Sequence, residues 1–254
     1  MTATSMIEAA ARALADSRRL LVLSGAGLSA ESGIPTFREA QTGLWAKFSP
    51  QDLATPEAFA ANPERVWAWY RWRRSLIARG GVNPGHRAIA ALERHLDVVI
   101  ATQNVDGLQS AAGSHDVSEL HGNIWIDRCS ACDAEHRQPV AEADDDAELP
   151  YCDACGARMR PGVVWFGEML PVNALERAQA ELERCDCVLV VGTSNQVYPA
   201  AALVEMAVAG PATVIEVNPQ ATSVSAAVDA HIAETASKAL PALVDRLDGL
   251  GAAR

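Results

Sequence analysis

Two pairs of cysteines in the middle of the chain constrain the fold more than any other feature. Cys129 and Cys132 form one Cys-x-x-Cys pair, and after nineteen intervening residues Cys152 and Cys155 form a second. Each pair brackets a short turn, so four thiolates can stand at the corners of a tetrahedron, the geometry that Zn²⁺ accepts. Protein sulfur then fills every position, and no activated water fits. The pattern predicts one structural Zn²⁺; two disulfides or four free thiols are the alternative.

The composition excludes several classes of protein. The 254 residues are 49% hydrophobic and 21% charged, which is enough to bury one large core with an inserted module. The longest apolar runs have the length of strands, and the N-terminal residues predict an amphipathic helix rather than a signal peptide. A net charge of −11 argues against a broad phosphate-binding surface. We therefore expect a cytoplasmic protein that binds neither membrane nor nucleic acid directly.

Short β-rich runs alternate with helical stretches along the chain. The runs are residues 20–23, 98–101, 188–191 and 213–217. Strands that alternate with helices form parallel sheets with helices on both faces. This order predicts an α/β fold built on a Rossmann-like, doubly wound parallel sheet.

A glycine-rich turn follows the first β-rich run. Gly25, Gly27 and Ala30 have the spacing Gly-x-Gly-x-x-Ala, which lets backbone N–H groups approach a pyrophosphate. A tight turn without a ligand is the alternative. The acidic residue that usually binds the ribose about twenty residues later is missing, because residues 47–50 read KFSP. The turn therefore predicts nucleotide binding, but not an ordinary dehydrogenase.

Five short motifs follow one another in order along the chain. They are GAGLSAESGIPTFR at 25–38, TQNVD at 102–106, LHG at 120–122, the four cysteines, and GTS at 192–194. This set resembles the signature of the sirtuins, the NAD-dependent protein lysine deacylases, from about residue 6 to 247. The resemblance implies a Rossmann-like NAD-binding domain with a smaller inserted domain made of a zinc ribbon and a helical module. Its implied boundaries are 1–38, 83–124 and 161–254 for the NAD-binding domain, 39–82 for the cofactor loop and helical insert, and 125–160 for the zinc-binding insert.

The resemblance also implies the chemistry. NAD would be consumed to remove acyl groups from protein lysines, giving nicotinamide, O-acyl-ADP-ribose and free lysine. His121 would act as general base on a ribose hydroxyl, and Asn104 would hold the nicotinamide ribose and a catalytic water; an imidazole suits such a base because its pKa lies near neutrality. The other histidines are expected to have structural or surface roles: His86, His95, His115, His136 and His231.

The residues that would line the cofactor come from the same resemblance. Asp106 and the backbone near Ile34 would receive the nicotinamide carboxamide, and Phe37 would shield the sugar from water. Capping of the next helix is the alternative for Asp106, and plain core packing is the alternative for Phe37. Gln220 stands where the family often has an acid near the adenosine. The full predicted set is Gly25, Ala26, Gly27, Ile34, Phe37, Arg38, Gln103, Asn104, Asp106, Gly192, Thr193, Ser194, Asn218 and Ala236.

Two short extended segments would pair with the main chain of the substrate. They are residues 163–168, with Val163, Phe166, Gly167 and Glu168 as the predicted contacts, and residues 196–198. The expected partner is an acylated protein lysine that is bound as an extended peptide, and the expected oligomeric state is a monomer.

The helical insert predicts the kind of acyl group. Tyr70 and Arg73 are three residues apart and share a helix face, where a guanidinium and a phenol could together bind a carboxylate. With QDLATP at 51–56, this pair resembles the sirtuin subgroup that removes succinyl, malonyl and glutaryl groups; acetyl is also expected as a substrate. A solvated basic helix face is the alternative for the pair. The rival functions are an NAD hydrolase or mono-ADP-ribosyltransferase, and a non-catalytic nucleotide-binding module.

Overall fold

The computed structural model describes residues 2–35, 47–132, 134–141 and 147–251. In this part of the chain the strands are β1 (Arg19–Ser24), β2 (Asp97–Thr102), β3 (Val117–Glu119), β4 (Gly122–Cys129), β5 (Glu135–Arg137), β6 (Met159–Val163), β7 (Cys187–Val191), β8 (Thr213–Val217) and β9 (Ala230–Ile232). The helices are α1 (Ala3–Asp16), α2 (Gly27–Ala30), α3 (Pro56–Ala61), α4 (Pro63–Gly80), α5 (Pro84–Leu92), α6 (Leu108–Ala111), α7 (Val172–Leu182), α8 (Ala200–Ala209) and α9 (Ala236–Gly251).

A six-stranded parallel sheet forms the centre of the molecule. Its strand order is β3-β2-β1-β7-β8-β9, and every neighbouring pair is parallel. The inner strand β7 is apolar and buried along its whole length, as expected for a parallel strand that is covered on both faces. The four β-rich runs became β1, β2, β7 and β8, so the predicted Rossmann-like fold is confirmed.

Helices cover both faces of this sheet. On one face α1, α5 and α9 contribute Leu14, Ile89 and Leu243 to a common apolar core. On the other face α7 and α8 contribute Ala178 and Leu203 to a second core. The strand order reverses between β1 and β7: β2 and β3 lie on one side of β1, and β7, β8 and β9 lie on the other. Ligands of such folds bind at the carboxyl ends of the strands at this switch point.

A smaller unit combines α3 and α4 with the antiparallel sheet β5-β4-β6. Trp67 Nε1 donates to the carbonyl of Met159 at 3.0 Å, and Arg74 forms a buried ion pair with Asp127 at 2.6 Å. The helical insert and the zinc insert therefore share one hydrophobic core. The proposed domain borders at 124/125 and 160/161 fall within β4 and β6, so those two borders divide strands of a single sheet.

Among the described residues, no helix combines the length and the apolarity that a bilayer crossing requires.

Candidate active site

The glycine-rich turn after β1 packs directly on the turn after β7. Gly25 N donates to the carbonyl of Val191 at 2.9 Å, and Gly27 N donates to the carbonyl of Gly192 at 2.8 Å. A Cβ added to Gly27 would lie 2.8 Å from the Gly192 Cα, and Gly192 has φ +58°, so glycine is needed at both positions. Ala26 precedes α2, which is a single turn long, and the N–H groups of Gly25 and Gly27 are committed to the turn after β7, so these two contacts fix the shape of the turn.

Behind this turn, Ser29 joins Asn104, Asp106 and His86 in one buried network. Asn104 Nδ2 donates to Ser29 Oγ at 3.1 Å, and Ser29 Oγ donates to Asp106 Oδ2 at 2.7 Å. His86 Nε2 lies 3.3 Å from the same hydroxyl. Because the N–H of Asn83 lies 3.3 Å from His86 Nδ1, His86 Nε2 carries the proton and donates to Ser29. The network fixes the amide and carboxylate that the sequence predicts to meet the nicotinamide end.

Asp106 also caps the following helix. Its Oδ1 accepts from the N–H of Leu108, the first residue of α6, at 2.9 Å. Helix capping, the alternative role for Asp106, therefore applies to one of its two carboxylate oxygens. Its carbonyl accepts from Trp125 Nε1 at 2.8 Å. These two contacts hold the turn after β2 against α6 and β4.

His121 is held in the tautomer of a base. Its Nδ1 lies 2.9 Å from the carbonyl of Gln103, and a carbonyl only accepts, so Nδ1 carries the proton and Nε2 presents a lone pair. Burial lowers the pKa of His121, and this outweighs the opposing effect of the hydrogen bond to Gln103. The imidazole is thus neutral and ready to accept a proton near neutral pH.

Three of the remaining predicted cofactor residues are joined to one another at the turns after β2, β7 and β8. Gln103 Nε2 donates to Thr193 Oγ1 at 3.2 Å, and Asn218 Nδ2 donates to the carbonyl of Thr193 at 2.9 Å. Ser194 is exposed, whereas Ile34 and Ala236 are buried. Phe37 and Arg38 lie outside the described residues.

The four cysteines of the metal motif converge. Their sulfur atoms all lie within 4.8 Å of one another, and Cys129 Sγ is 3.4 Å from Cys155 Sγ. Four ligands at about 2.3 Å from a tetrahedral zinc ion would be separated by roughly 3.8 Å, so the cluster fits Zn²⁺. The N–H groups of Ala131 and Cys132 point at Cys129 Sγ, as is typical of thiolate turns in zinc sites. A bound ion would cross-link β4 to the loop before β6 and would leave no open position for catalysis.

Tyr70 and Arg73 lie on α4 beside Trp165. Trp165 Nε1 donates to Tyr70 Oη at 3.0 Å, which leaves the phenolic proton available for another acceptor, and burial raises the pKa of Tyr70 to about 12. Arg73 Nη1 is shielded from solvent and has no hydrogen-bond partner among the described residues. Burial lowers the pKa of Arg73, and this outweighs the opposing effects of Tyr70 and Asp106. The two side chains therefore place two hydrogen-bond donors on one face of α4.

The predicted peptide segment offers fewer side chains than expected. Phe166 and Gly167 are exposed. Val163 is buried in the core of the smaller unit, so only its backbone could meet a peptide. Glu168 faces inward: Arg160 donates to both of its oxygens, at 2.5 and 2.8 Å, and the N–H of Trp165 donates at 2.8 Å. Glu168 therefore orients the segment rather than presenting a free carboxylate.

Sequence reasoning missed four residues that organise the site. Ser29 and His86 connect Asn104 to Asp106, Trp165 orients Tyr70, and Arg160 stacks 3.5 Å above the Trp165 ring. Ser29 lay inside a quoted motif, but nothing in that motif marked its hydroxyl. His86 was expected to have a structural or surface role, and it is fully buried in the network, which is a structural one.

Comparison with known proteins identifies the family of this fold and site. The profile of the Sir2 family matches residues 25–199. The chain belongs to the Sir2 family. The match covers more than half of the chain, and it confirms the resemblance to the sirtuins that the sequence motifs indicate.

Relatives and solved structures of the Sir2 family agree over almost the whole chain. The chain is 48% identical to the NAD-dependent protein deacylase Sir2 of Mycolicibacterium smegmatis, over 91% of this chain and 98% of that protein. It is 50% identical to an NAD-dependent protein deacylase of Ralstonia nicotianae, over 89% and 91%. A Sir2 homologue in complex with NAD superimposes with a TM-score of 0.88 at 42% identity, over 94% of this chain and 93% of that one. Sir2Af2 bound to a myristoylated histone peptide superimposes with a TM-score of 0.80 at 32% identity, over 99% and 100%.

Proposed function

We propose that this protein removes succinyl, malonyl and glutaryl groups from protein lysines and prefers them to acetyl. The coarser activity follows from its family and relatives: it is an NAD-dependent protein deacylase. The acidic preference rests on a single observation: Arg73 Nη1 is shielded from solvent and has no hydrogen-bond partner in the part of the chain that the structure describes. A solvated basic helix face, the alternative for this pair, would leave the guanidinium in water.

The energetics of the shielded guanidinium favour an anion. A buried donor that lacks an acceptor costs about 1 to 3 kcal/mol, and more when the donor is charged. A carboxylate at the end of an acyl chain would accept from Arg73 and from the free proton of Tyr70, giving charge-assisted hydrogen bonds. An acetyl group has no atom that could fill this role. The two donors therefore support selection for dicarboxylic acyl groups.

The remaining residues support the chemistry of acyl transfer. When it is bound, NAD supplies an electrophilic sugar carbon from which nicotinamide can leave. We assign His121 Nε2 to take the proton from a ribose hydroxyl, because its Nδ1 proton is committed to Gln103. Asn104 and Asp106 would hold the nicotinamide end, since Ser29 fixes both of them. Positioning thus provides most of the proposed catalysis.

Replacing Arg73 by methionine tests the acyl preference. The change keeps much of the volume of the aliphatic part of the side chain but leaves the carboxylate of a succinyl group without its charged partner, at a cost on the order of 2 to 5 kcal/mol. We expect kcat/KM for a succinyl-lysine peptide to fall at least about tenfold while that for the acetyl version of the same peptide changes little. Tyr70→Phe should give a weaker split, because it removes one hydrogen bond to a charged group, worth about 1.5 to 3 kcal/mol.

Arg79→Met is the matched control, because Arg79 is an exposed arginine in the last turn of the same helix. It should leave both rates unchanged. Equal losses of desuccinylation and deacetylation in Arg73→Met would mean that Arg73 supports the helix, and would contradict the proposed preference in favour of a plain deacetylase.

The rival hydrolase or ADP-ribosyltransferase activity predicts a different dependence on substrate. For a deacylase, nicotinamide release should require the acyl-peptide and should match the amount of O-acyl-ADP-ribose formed. Measuring both products with and without a succinyl peptide separates the two functions. Release of nicotinamide at an equal rate without peptide would identify a hydrolase.

The pH dependence follows from His121. Since burial lowers its pKa, the imidazole stays unprotonated to a lower pH than an exposed histidine, whose pKa is about 6.5. We expect the acidic limb of kcat/KM against pH to have its midpoint below about 6.5. A midpoint clearly above that value would contradict a buried, neutral His121 as the base.

A further inference from the structure

Glu216 is a fully buried carboxylate that the chemistry above does not use. It lies near the carboxyl end of β8, with 0% of its surface exposed. Its Oε1 accepts from Thr222 Oγ1 at 2.6 Å, and its Oε2 accepts from Ser225 Oγ. A carboxylate this far from water is costly unless both oxygens have donors. Both donors here belong to the turn that leaves β8, so Glu216 fastens this turn to the sheet.

Thr222 carries the connection to a second turn. Its Oγ1 also accepts from Asn195 Nδ2 at 3.2 Å. Asn195 has the left-handed value φ 55°, and its N–H donates to Thr193 Oγ1 at 3.3 Å. The carbonyl of Thr193 in turn accepts from Asn218 Nδ2 at 2.9 Å. A closed ring of contacts therefore joins the turn after β7 to the turn after β8, with Glu216 as its buried anchor.

His231 completes the surroundings of Glu216. Its Nε2 lies 3.0 Å from the carbonyl of Asn218, so Nε2 carries the proton and donates to it. The same nitrogen is 4.0 Å from Glu216 Oε2. Asn218 is thus held through its side chain by Thr193, which belongs to the ring, and through its carbonyl by His231, which lies beside Glu216.

We propose that Glu216 is a positioning residue for NAD, one that sets the affinity for the adenosine end of the cofactor. The inference rests on the proposed function and on the sirtuin resemblance, which implies that Ser194 lies along the phosphates of NAD and Asn218 at its adenosine ribose. Both residues stand on the two turns that the ring joins. Groups that are fixed before binding lose less conformational entropy when the ligand arrives, so a rigid pair of turns binds more tightly than a loose one.

Replacing Glu216 by glutamine tests the proposal. The amide nearly keeps the shape of the side chain, but it has one acceptor oxygen for two donating hydroxyls. We expect the dissociation constants of NAD and of ADP-ribose, measured by isothermal titration calorimetry, to rise together by about tenfold. Because ADP-ribose lacks only the nicotinamide, an equal rise excludes the nicotinamide contacts and assigns the loss to the ADP-ribose part of the cofactor. The KM for NAD should rise with them, while kcat at saturating NAD and the KM for the peptide stay within about twofold.

Variants of the same turn keep the test decisive if Glu216→Gln folds poorly. Thr222→Val removes only the bridging hydroxyl and should reproduce the loss of affinity. Thr222→Ser retains the hydroxyl and should bind NAD with the affinity of the wild type, unlike Thr222→Val. Ser223→Ala changes an exposed neighbour in the turn and is the matched control.

Two results would overturn the positioning role. One is a lower melting temperature with unchanged dissociation constants, which would give Glu216 a purely structural task. The other is a fall in kcat at saturating NAD with unchanged affinity. The calorimetric titration needs no acyl-peptide, so failure of the acidic-acyl proposal would leave this result interpretable. A wild-type protein that binds no NAD would instead refute the proposed function itself.

Discussion

Replacing His121 by alanine should reduce deacylation by about 10² to 10⁴-fold, the usual contribution of a positioned proton acceptor. NAD should still bind with an affinity within about threefold of the wild type, because the proposed base acts on a hydroxyl of a cofactor that has already docked. The structure supports this separation: the contact that orients His121 is to the carbonyl of Gln103, and Nε2 is left for the substrate. Single-turnover rates and calorimetric titration with NAD measure the two quantities independently.

His115→Ala serves as the control for His121→Ala. The side chain of His115 is 89% exposed and pairs with Glu93 on the surface, so its loss should change neither rate nor affinity. A large loss of NAD affinity in His121→Ala would instead make His121 a cofactor ligand and would contradict its assignment as general base.

Replacing Cys152 by serine should release the metal and unfold the smaller unit. The free energy of binding a structural zinc ion is largely folding free energy, with apparent values of about 10 to 16 kcal/mol in zinc-binding peptides. Cys129 and Cys152 belong to the same apolar core as Trp67, Trp69 and Tyr70, so the loss should reach the residues proposed to bind the acyl group. We expect bound zinc well below one equivalent, a melting temperature lower by about 10 °C or more, and little desuccinylation.

Cys185→Ser is the matched control for the zinc prediction. Cys185 is a buried cysteine outside the four-sulfur cluster, and a serine there could still donate to the carbonyl of Leu182. It should retain its zinc and its rate. A zinc-free Cys152→Ser protein with undiminished melting temperature and activity would refute the structural role of the metal.

Local patterns in the sequence were sufficient for the elements of the fold. Continuous apolar runs predicted β1, β2, β7 and β8, because a strand that is buried on both faces must be apolar throughout. The cysteine spacing predicted a cluster that the structure forms, because two short turns leave few arrangements for four sulfur atoms. The domain borders could not be read in the same way: β4 and β6 continue across them, since strand length depends on pairing partners far away in the chain.

The side-chain contacts within the site could not be predicted from local patterns in the sequence. The motifs indicated Asn104, Asp106 and His121, but not the hydroxyl of Ser29, which reaches Asp106 across 77 positions of sequence. They indicated Glu168 as a peptide contact, whereas the carboxylate turns inward to Arg160. A motif records which residues recur near one another in the chain, and a hydrogen bond between distant segments leaves no local pattern.

By itself the sequence determined the parallel sheet, the four-cysteine cluster, the sirtuin motifs and the helix face shared by Tyr70 and Arg73. These depend on hydrophobic periodicity and on spacings of a few residues, which the order of amino acids specifies directly. Only the tertiary structure decided that Arg73 Nη1 lacks a partner among the described residues, that His121 presents Nε2, and that Glu216 joins two turns. Burial and hydrogen bonding between remote segments depend on how helices and strands pack, so they exist only once the chain has folded.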